Sequence, residues 1–246
     1  MLSRNFRLQR VGDIAWLQKN YNFSKITAAI DELVVLDVSR GQRDADKFCD
    51  TLSQLAETCF APIAAGGGVR TLTYCTRLLR NGADKVVLNS PLVTDSSLVN
   101  ELSREFGRQC LVASVDIRTA PEGGASVWIE NGSCEVEMPI DDYWRVIIGS
   151  PIGEIYLNSI NRDGTGQGYD FTLLDSLPKN LSIPVIFAGG VGNATHLANG
   201  LMDSRVDAVA TANLFNFVGD GLLQARRQLI EMGFLLPNWD MSILLK

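Results

Sequence analysis

Histidine and paired cysteines are almost absent from this chain. Its 246 residues include a single histidine, His196, so a histidine-based metal site or a Ser-His-Asp triad has almost nothing to build on. The five cysteines are scattered without CxxC spacing, which is typical of buried thiols in a reducing compartment. We therefore expect neither a metal centre nor a cofactor.

Long apolar runs and an excess of basic residues are also missing. No run approaches the roughly 18 apolar residues of a membrane helix, and the first segment, MLSRNFRLQR, has no apolar signal core. The net charge of −6 leaves no basic stripe that could follow a nucleic-acid backbone. These absences argue against membrane and nucleic-acid partners and predict a cytoplasmic protein, while a small anion could still bind locally.

Short apolar runs alternate with longer amphipathic stretches along the whole chain. Runs that are apolar on both faces predict parallel strands, at 33–38, 62–66, 85–89, 110–116, 154–159, 184–189 and 207–212. Amphipathic stretches predict helices near 13–22, 43–57, 71–80, 95–105, 141–148, 170–178, 193–203 and 219–232, with N-caps at Asp13, Thr71, Asp95 and Asn193. Because no linker interrupts this alternation, we expect an α/β fold, a single (β/α)8 TIM-type barrel over residues 1–246.

One stretch departs from the alternation. The segment SVWIENGSCEVEM, residues 126–138, contains two runs of alternating polarity around Asn131-Gly132. This pattern predicts a β-hairpin inserted after the fifth strand position, over about 117–138.

The two halves of the chain, about 1–122 and 123–246, resemble each other in sequence when they are aligned with one constant offset. An offset of 122 residues places Glu32 on Glu154, and Gly67-Gly68-Val69 on Gly189-Gly190-Val191. A shared offset favours duplication of a half-barrel over generic similarity between βα units. We call GGGVR (66–70) and GGVGN (189–193) the first and second glycine loops; each ends a strand and opens a helix. Backbone N–H groups exposed in this way suit a phosphate, and two loops predict a substrate with a phosphate at each end.

Five segments carry the motifs of a known enzyme family: VLDVSRG, PIAAGGGVRTLTYCTRLLRNGADKVVLNS, FGRQCLVASVDIR, EIYLNSINRDGTGQGYD and IPVIFAGGVGN. Together they resemble the cyclase subunit of imidazole glycerol phosphate synthase, over about residues 5–232. The resemblance implies a barrel that receives ammonia from a glutaminase subunit through its interior. It also implies a phosphorylated substrate, a bisphosphate ribulosyl imidazole intermediate that is converted to imidazole glycerol phosphate and an aminoimidazole carboxamide nucleotide.

The resemblance also assigns site residues. Asp116 matches a catalytic acid that ends the fifth strand, although it could instead cap a helix or form a salt bridge. Asp163 matches a further acid beside the substrate, although it could instead only order its own turn. A charged ring gates the ammonia path of the family, and Glu32, Lys85 and Glu154 match three of its members; the alternative is a ring of stabilising salt bridges. Asp37 has weaker motif support. Phosphate or substrate binding is expected from Gly67, Gly68, Asn89, Ser90, Ser159, Gly164, Thr165, Gly189, Gly190 and Asn213.

Several positions depart from the histidine-pathway pattern. Asn5-Phe6 and Gly12-Asp13 match the part that follows the family's first strand, so this strand and its acid are expected to be missing or degenerate. The motif SRG (39–41), Asn161 and ANLFNF (212–217) also differ from the usual residues. These changes favour a branch that supplies ammonia to a sugar amidotransferase, which amidates a surface sugar.

Two other interpretations stay open. The first is a histidine-pathway cyclase whose remaining strand is encoded in frame upstream, in roughly 15–20 residues, since a closed barrel needs that strand. The second is an unrelated phosphate-binding barrel enzyme.

Overall fold

A computed structural model describes residues 2–9, 13–16, 29–212 and 220–237. These residues contain the following strands, in chain order: β1 (Leu2–Arg4), β2 (Arg7–Gln9), β3 (Leu33–Leu36), β4 (Ile63–Gly66), β5 (Lys85–Leu88), β6 (Leu111–Thr119), β7 (Ala125–Ile129), β8 (Cys134–Glu135), β9 (Glu154–Ser159), β10 (Val185–Ala188) and β11 (Ala208–Val209). All seven strands predicted for the barrel are confirmed, although the last is only two residues long.

The seven strands form one curled parallel sheet in the order β3-β4-β5-β6-β9-β10-β11. Every neighbouring pair in this series is parallel. Apolar residues on both faces of each strand allow helices to cover one face while the other lines the barrel interior. The predicted α/β fold of TIM type is confirmed. Within the described residues, β3 and β11 each have a single neighbour in this sheet.

Helices connect the strands and pack on the outside of the sheet: α1 (Ala45–Ala56), α2 (Leu72–Arg80), α3 (Pro91–Thr94), α4 (Ser96–Phe106), α5 (Ile140–Gly149), α6 (Ala194–Leu201) and α7 (Gly221–Glu231). Three predicted N-caps are confirmed by hydrogen bonds that their side chains accept: Thr71 from Tyr74, Asp95 from Leu98 and Asn193 from His196. Asp13 likewise accepts from the backbone N–H of Trp16, and most of the helix predicted there lies outside the described residues. No helix in the described part of the chain is long and apolar enough to cross a membrane.

The helix predicted at 170–178 is wrong in type. Residues Phe171–Ser176 form a 3-10 helix instead. The Asp170 carboxylate accepts hydrogen bonds from both the N–H and the hydroxyl of Thr172, and the Asp170 carbonyl accepts from Leu173 three residues on. Because Pro178 follows closely, the segment is too short to relax into an α-helix.

The predicted insertion is confirmed, with one difference. Strand β6 itself extends past the sheet and pairs antiparallel with β7, which pairs in turn with β8. The turn has positive φ angles at Glu130, Asn131 and Gly132, the conformation that Asn and Gly favour. The Asn131 amide donates to the Ser39 carbonyl (3.4 Å), so the tip of the hairpin reaches the carboxyl ends of the parallel strands.

A second hairpin, formed by β1 and β2, lies over the same end of the barrel. Its two strands pair only with each other among the described residues, through a turn with positive φ at Asn5 and Phe6. The backbone N–H of Asn5 donates to the carbonyl of Asp163 (2.9 Å), in the loop after β9. The first chain segment therefore contributes a cover over the loops.

Arg226 of α7 joins two distant parts of the chain. Only 9% of this residue is exposed, and its guanidinium donates to both carboxylate oxygens of Asp31 (2.9 Å each). It also donates to the carbonyls of Ala29 and Pro237. This cluster fixes the last described helix against the segment that enters β3.

Candidate active site at the mouth of the barrel

Side-chain alternation along the strands brings three polar residues to the mouth, the end of the barrel where the parallel strands finish. Asp116 of β6 lies opposite Asn158 of β9, and Asn89 directly follows β5. One carboxylate oxygen of Asp116 accepts from the Asn158 amide and the other from the Asn89 amide, each at 3.2 Å. The neighbouring strands thus hold the Asp116 carboxylate in one orientation.

Burial changes the acidity of Asp116. The residue is 8% exposed, and burial raises the pKa of its carboxyl from 3.8 to about 7. The hydrogen bond from Asn158 opposes this rise in pKa, and the charge of Asp163 adds to it. A carboxyl with a pKa near neutrality can both take and give a proton, as a general acid–base residue must.

Asp163 is held by the N-terminal hairpin. Its carboxylate accepts hydrogen bonds from the Ser3 hydroxyl and from the backbone N–H of Phe6 (3.1 Å). A side chain added at Gly164 would lie 1.8 Å from the Ser3 carbonyl oxygen, so the hairpin rests directly on this loop. In this arrangement the oxygen that receives both hydrogen bonds faces the hairpin.

Asp37, the third carboxylate at the mouth, follows β3. It is 7% exposed and accepts a hydrogen bond from the backbone N–H of Ser39 (2.9 Å). The Nε atom of Arg43 forms an ion pair with it at 3.6 Å. The negative charge of Asp37 is therefore balanced by the neighbouring positive charge of Arg43.

Each glycine loop contains a glycine that a larger residue could not replace without backbone strain and a steric clash. Gly67 and Gly190 have φ angles of +103° and +99°, a region that other residues rarely adopt. A Cβ at Gly67 would lie 2.3 Å from the carbonyl oxygen of Asp37, and one at Gly190 would lie 2.1 Å from the carbonyl oxygen of Gly168. Each loop thus packs its backbone against the neighbouring loop and leads into a helix, α2 or α6.

One cavity of about 1170 Å3 unites most of the predicted site. Its lining includes nine of the twelve residues predicted for catalysis or substrate binding: Gly67, Gly68, Asn89, Ser90, Asp116, Asp163, Gly164, Gly189 and Gly190. Ser159 is fully buried and accepts the Arg162 N–H within its own turn, and Thr165 donates to the Arg162 carbonyl, so both order the loop. Their contact with a ligand stays a prediction. Asn213 lies outside the described residues.

At the opposite end of the barrel, Glu32, Lys85 and Glu154 form the bottom ring. The Lys85 ammonium donates to Glu32 (2.6 Å) and to both oxygens of Glu154 (2.8 and 2.9 Å). Burial alone would lower the pKa of Lys85, but these two partners outweigh it and raise the pKa. Burial raises the pKa of Glu32, against the effect of Lys85. The ring is a charge cluster whose members are each about one-quarter exposed or less.

Sequence reasoning missed three contributors to this site. The sequence places Asn158 at the end of the strand 154–159 and the start of the loop over the mouth without giving it a role, yet its place on the same face as Glu154 signals a side chain that points into the barrel. The sequence around Ser3 does not predict its role, because its hydrogen-bond partner, Asp163, lies 160 residues away along the chain. His196 accepts the Gly192 N–H at Nδ1 (3.1 Å), so the one histidine orders the second glycine loop. The described residues contain no cluster of three or more His, Cys, Asp or Glu side chains that could hold a metal ion.

The sequence model of the histidine biosynthesis protein family matches residues 6–219. The chain belongs to this family. A curated relative from Parasynechococcus marenigrum (strain WH8102), named "Putative imidazole glycerol phosphate synthase subunit hisF2", is 47% identical over 227 residues. The aligned region covers 92% of this chain and 84% of the relative. The resemblance found in the sequence motifs is thereby confirmed.

This histidine biosynthesis family member places Asp116, a carboxyl whose pKa burial raises to about 7, inside the cavity that the two glycine loops border. The arrangement joins an acid–base group to two loops with exposed backbone donors. A substrate that spans the mouth could therefore contact both loops while its centre lies near Asp116.

Proposed function

We propose that this protein is the ammonia-conducting barrel of a glutamine amidotransferase complex. In this proposal a glutaminase subunit docks at the bottom of the barrel, and ammonia passes through the interior to a phosphorylated acceptor at the mouth. The observation that carries the proposal is the cavity itself, whose lining includes Glu32 and Glu154 of the bottom ring as well as Asp116.

The side-chain layers inside the barrel, between the bottom ring and the mouth, favour the passage of a small neutral molecule. Alternation along β5 places Lys85, Val87 and Asn89 on the interior face, and along β9 it places Glu154, Tyr156 and Asn158 there. Val87 and Tyr156 pack together with Val34, Ala64 and Val112 as an apolar layer inside the barrel. Such a layer disfavours ammonium, a charged ion, far more than ammonia, which is neutral.

The bottom face carries apolar side chains that a partner could cover. Phe60 (74% exposed) and Met202 (75%) precede β4 and β11, while Met232 (54%) and Leu235 (101%) follow α7. All four lie where helices end and the parallel strands begin, which is the end of the barrel that holds the bottom ring. Exposed apolar residues that share one face are typical of a protein-interaction surface.

Docking through this face is tested by Phe60→Asp, which introduces a charge into the proposed interface. We expect it to weaken binding of a class I glutaminase subunit from the same organism by at least about tenfold, measured by calorimetry, because a buried unpaired charge is costly. Met138→Asp is the matched control, since Met138 is also exposed but precedes α5 at the other end of the barrel. Equal binding by Phe60→Asp and the parent protein would reject this interface.

Two acceptors are compatible with the site. The first is a sugar amidotransferase that uses the delivered ammonia on a surface sugar; it is favoured because Asp37 is paired with Arg43, and Asp163 with the hairpin. This leaves Asp116 without a second uncommitted acid among the described mouth carboxylates. The second is the bisphosphate ribulosyl imidazole intermediate, and the pKa of about 7 for Asp116 favours it.

An assay with ammonium salt and the bisphosphate intermediate separates these acceptors. Cyclisation with one acid instead of two loses a contribution of about 10²–10⁴ in rate, so we expect little or no formation of the aminoimidazole carboxamide nucleotide. Chromatography of the products measures this directly. Rapid ammonia-dependent turnover that disappears in Asp116→Asn would instead establish the cyclase.

A further inference from the structure

Arg43 is a cation beside the first glycine loop. Neither the family motifs nor the proposed ammonia path assigns a role to it. Arg43 lies in the segment between β3 and α1, and its side chain crosses the face of Gly68. A Cβ at Gly68 would lie 2.6 Å from Cδ, 3.0 Å from Nε and 3.1 Å from Nη1 of Arg43. The missing side chain of Gly68 therefore makes room for the arginine.

Arg43 is only partly satisfied by its surroundings. Its Nε atom is buried and has no hydrogen-bond partner in the described part of the chain. The nearest carboxylate, Asp37, is 3.6 Å away, which permits an ion pair but exceeds normal hydrogen-bond distance. The side chain is 26% exposed, so the guanidinium is anchored on one side and open on the other.

Two neighbouring arginines differ from Arg43 in this respect. Arg70 pairs with Glu130 on the insertion hairpin, and Arg77 of α2 pairs with Asp46 of α1. Together with Arg43 they line a smaller cavity of about 260 Å3 beside Gly68. Three arginines thus line one cavity beside this loop in a protein with a net charge of −6, and Arg43 is the one whose carboxylate contact is long.

The second glycine loop has a different charge environment. The position of a Cβ at Gly190 would be 2.9 Å from Cβ of Arg162, whose guanidinium donates to the neutral amide of Gln167 (3.3 Å). The two glycine loops, although related by the repeat, thus differ in the positive charge that surrounds them.

We propose that Arg43 is a substrate-binding residue that contacts a phosphoryl group at the first glycine loop and makes this loop prefer the dianion. Arg43 lines the same cavity as Gly67 and Gly68, and the exposed part of its side chain can reach a phosphoryl oxygen there, while Asp37 holds the buried Nε side of the guanidinium. Arginine suits this task because its planar group offers two parallel donors to one phosphate. The inference rests on the proposed function, since it requires a phosphorylated ligand at this loop.

The test is a titration of the full chain with inorganic phosphate, followed through the amide resonances of the four loop glycines, Gly67, Gly68, Gly189 and Gly190. Hydrogen bonds to charged groups contribute about 1.5–3 kcal/mol, and about 1.4 kcal/mol corresponds to tenfold in affinity. Arg43→Gln should therefore weaken binding at the first loop by roughly 10- to 100-fold near pH 8, where phosphate is mainly dianionic. Arg43→Lys should recover part of the loss.

The controls separate binding from folding. Arg145→Gln removes the same charge from an exposed arginine paired with Asp142 on α5, and it should leave the titration unchanged. The loss in Arg43→Gln should be several-fold smaller near pH 6, where phosphate is mainly monoanionic, which a purely structural role would not produce. Thermal unfolding of each variant checks that the fold is kept.

Two results would overturn the inference, and they are distinguishable. Unchanged phosphate affinity at Gly67 and Gly68 in Arg43→Gln, or equal weakening near pH 6 and pH 8, removes Arg43 from the site but leaves the proposed function standing. If phosphate shifts none of the four glycine resonances in the parent protein, the phosphate-binding part of the proposed function fails as well.

Discussion

Asp116→Asn is expected to stabilise the protein at alkaline pH. The folded protein holds the pKa of this carboxyl at about 7, against 3.8 for the free group. The folded state therefore keeps a proton that the unfolded state gives up, so the contribution of this carboxyl to stability is most favourable below about pH 4 and falls as the pH rises towards 7. The full difference of about three pKa units corresponds to about 4 kcal/mol at pH 8 and above.

Asparagine has nearly the same shape and carries no charge at any of these pH values. It loses part of the hydrogen bonding to Asn89 and Asn158, but this loss is the same at every pH. The gain in free energy of unfolding should hence be about 2 kcal/mol larger at pH 8.5 than at pH 5.5. Chemical denaturation at the two pH values measures it.

The exposed Asp46, which pairs with Arg77 on the surface, provides the comparison. Asp46→Asn should show no stabilisation that grows with pH. An equal effect of Asp116→Asn at both pH values would mean that the carboxyl titrates normally in the folded protein, and its assignment as an acid–base group would fail.

Lys85→Met should destabilise the protein by about 3 kcal/mol. The change leaves Glu32 and Glu154 close together without their shared cation, and removing one partner of a largely buried ion pair typically costs this much. The loss should shrink as the pH falls towards 5, because burial raises the pKa of Glu32 and protonation of this carboxyl relieves its repulsion with Glu154. Urea denaturation at pH 5 and pH 8 tests both statements.

The matched control is Arg205→Met. Arg205 also bridges two carboxylates, those of Asp175 and Asp203, but it is 40% exposed and solvent screens the pair, so the loss should stay below about 1 kcal/mol. The triple variant with Glu32→Gln and Glu154→Gln should recover much of the stability of Lys85→Met. A triple variant as unstable as the single one would show that the ring does not act through its charges.

The parallel sheet was predictable because its signal is local. A strand covered on both faces must be apolar at consecutive positions, and the runs that became β4, β5 and β10 show this directly. The 3-10 helix at Phe171–Ser176 was missed because its apolar spacing fits an α-helix, whereas the Asp170 side chain and Pro178 decide its geometry.

The candidate site also has a part that the sequence predicts and a part that it does not. Asp116 could be found from the sequence, since a carboxylate at the end of an apolar strand is unusual. Its hydrogen bonds could not, because their donors Asn89 and Asn158 lie 27 and 42 residues away along the chain. Arg43 gave no signal, since its position on Gly68 depends on how two loops approach each other.

The Arg226 cluster sets a time scale for the synthesis of this protein. Arg226 and Asp31 are 195 residues apart, and translation at about 5–20 residues per second separates their emergence from the ribosome by roughly 10–40 s. During this interval β3 and the segment before it lack their anchor, while the following strands can already pair. During synthesis the segment that enters β3 therefore stays without this buried ion pair until α7, the last described helix, has been made.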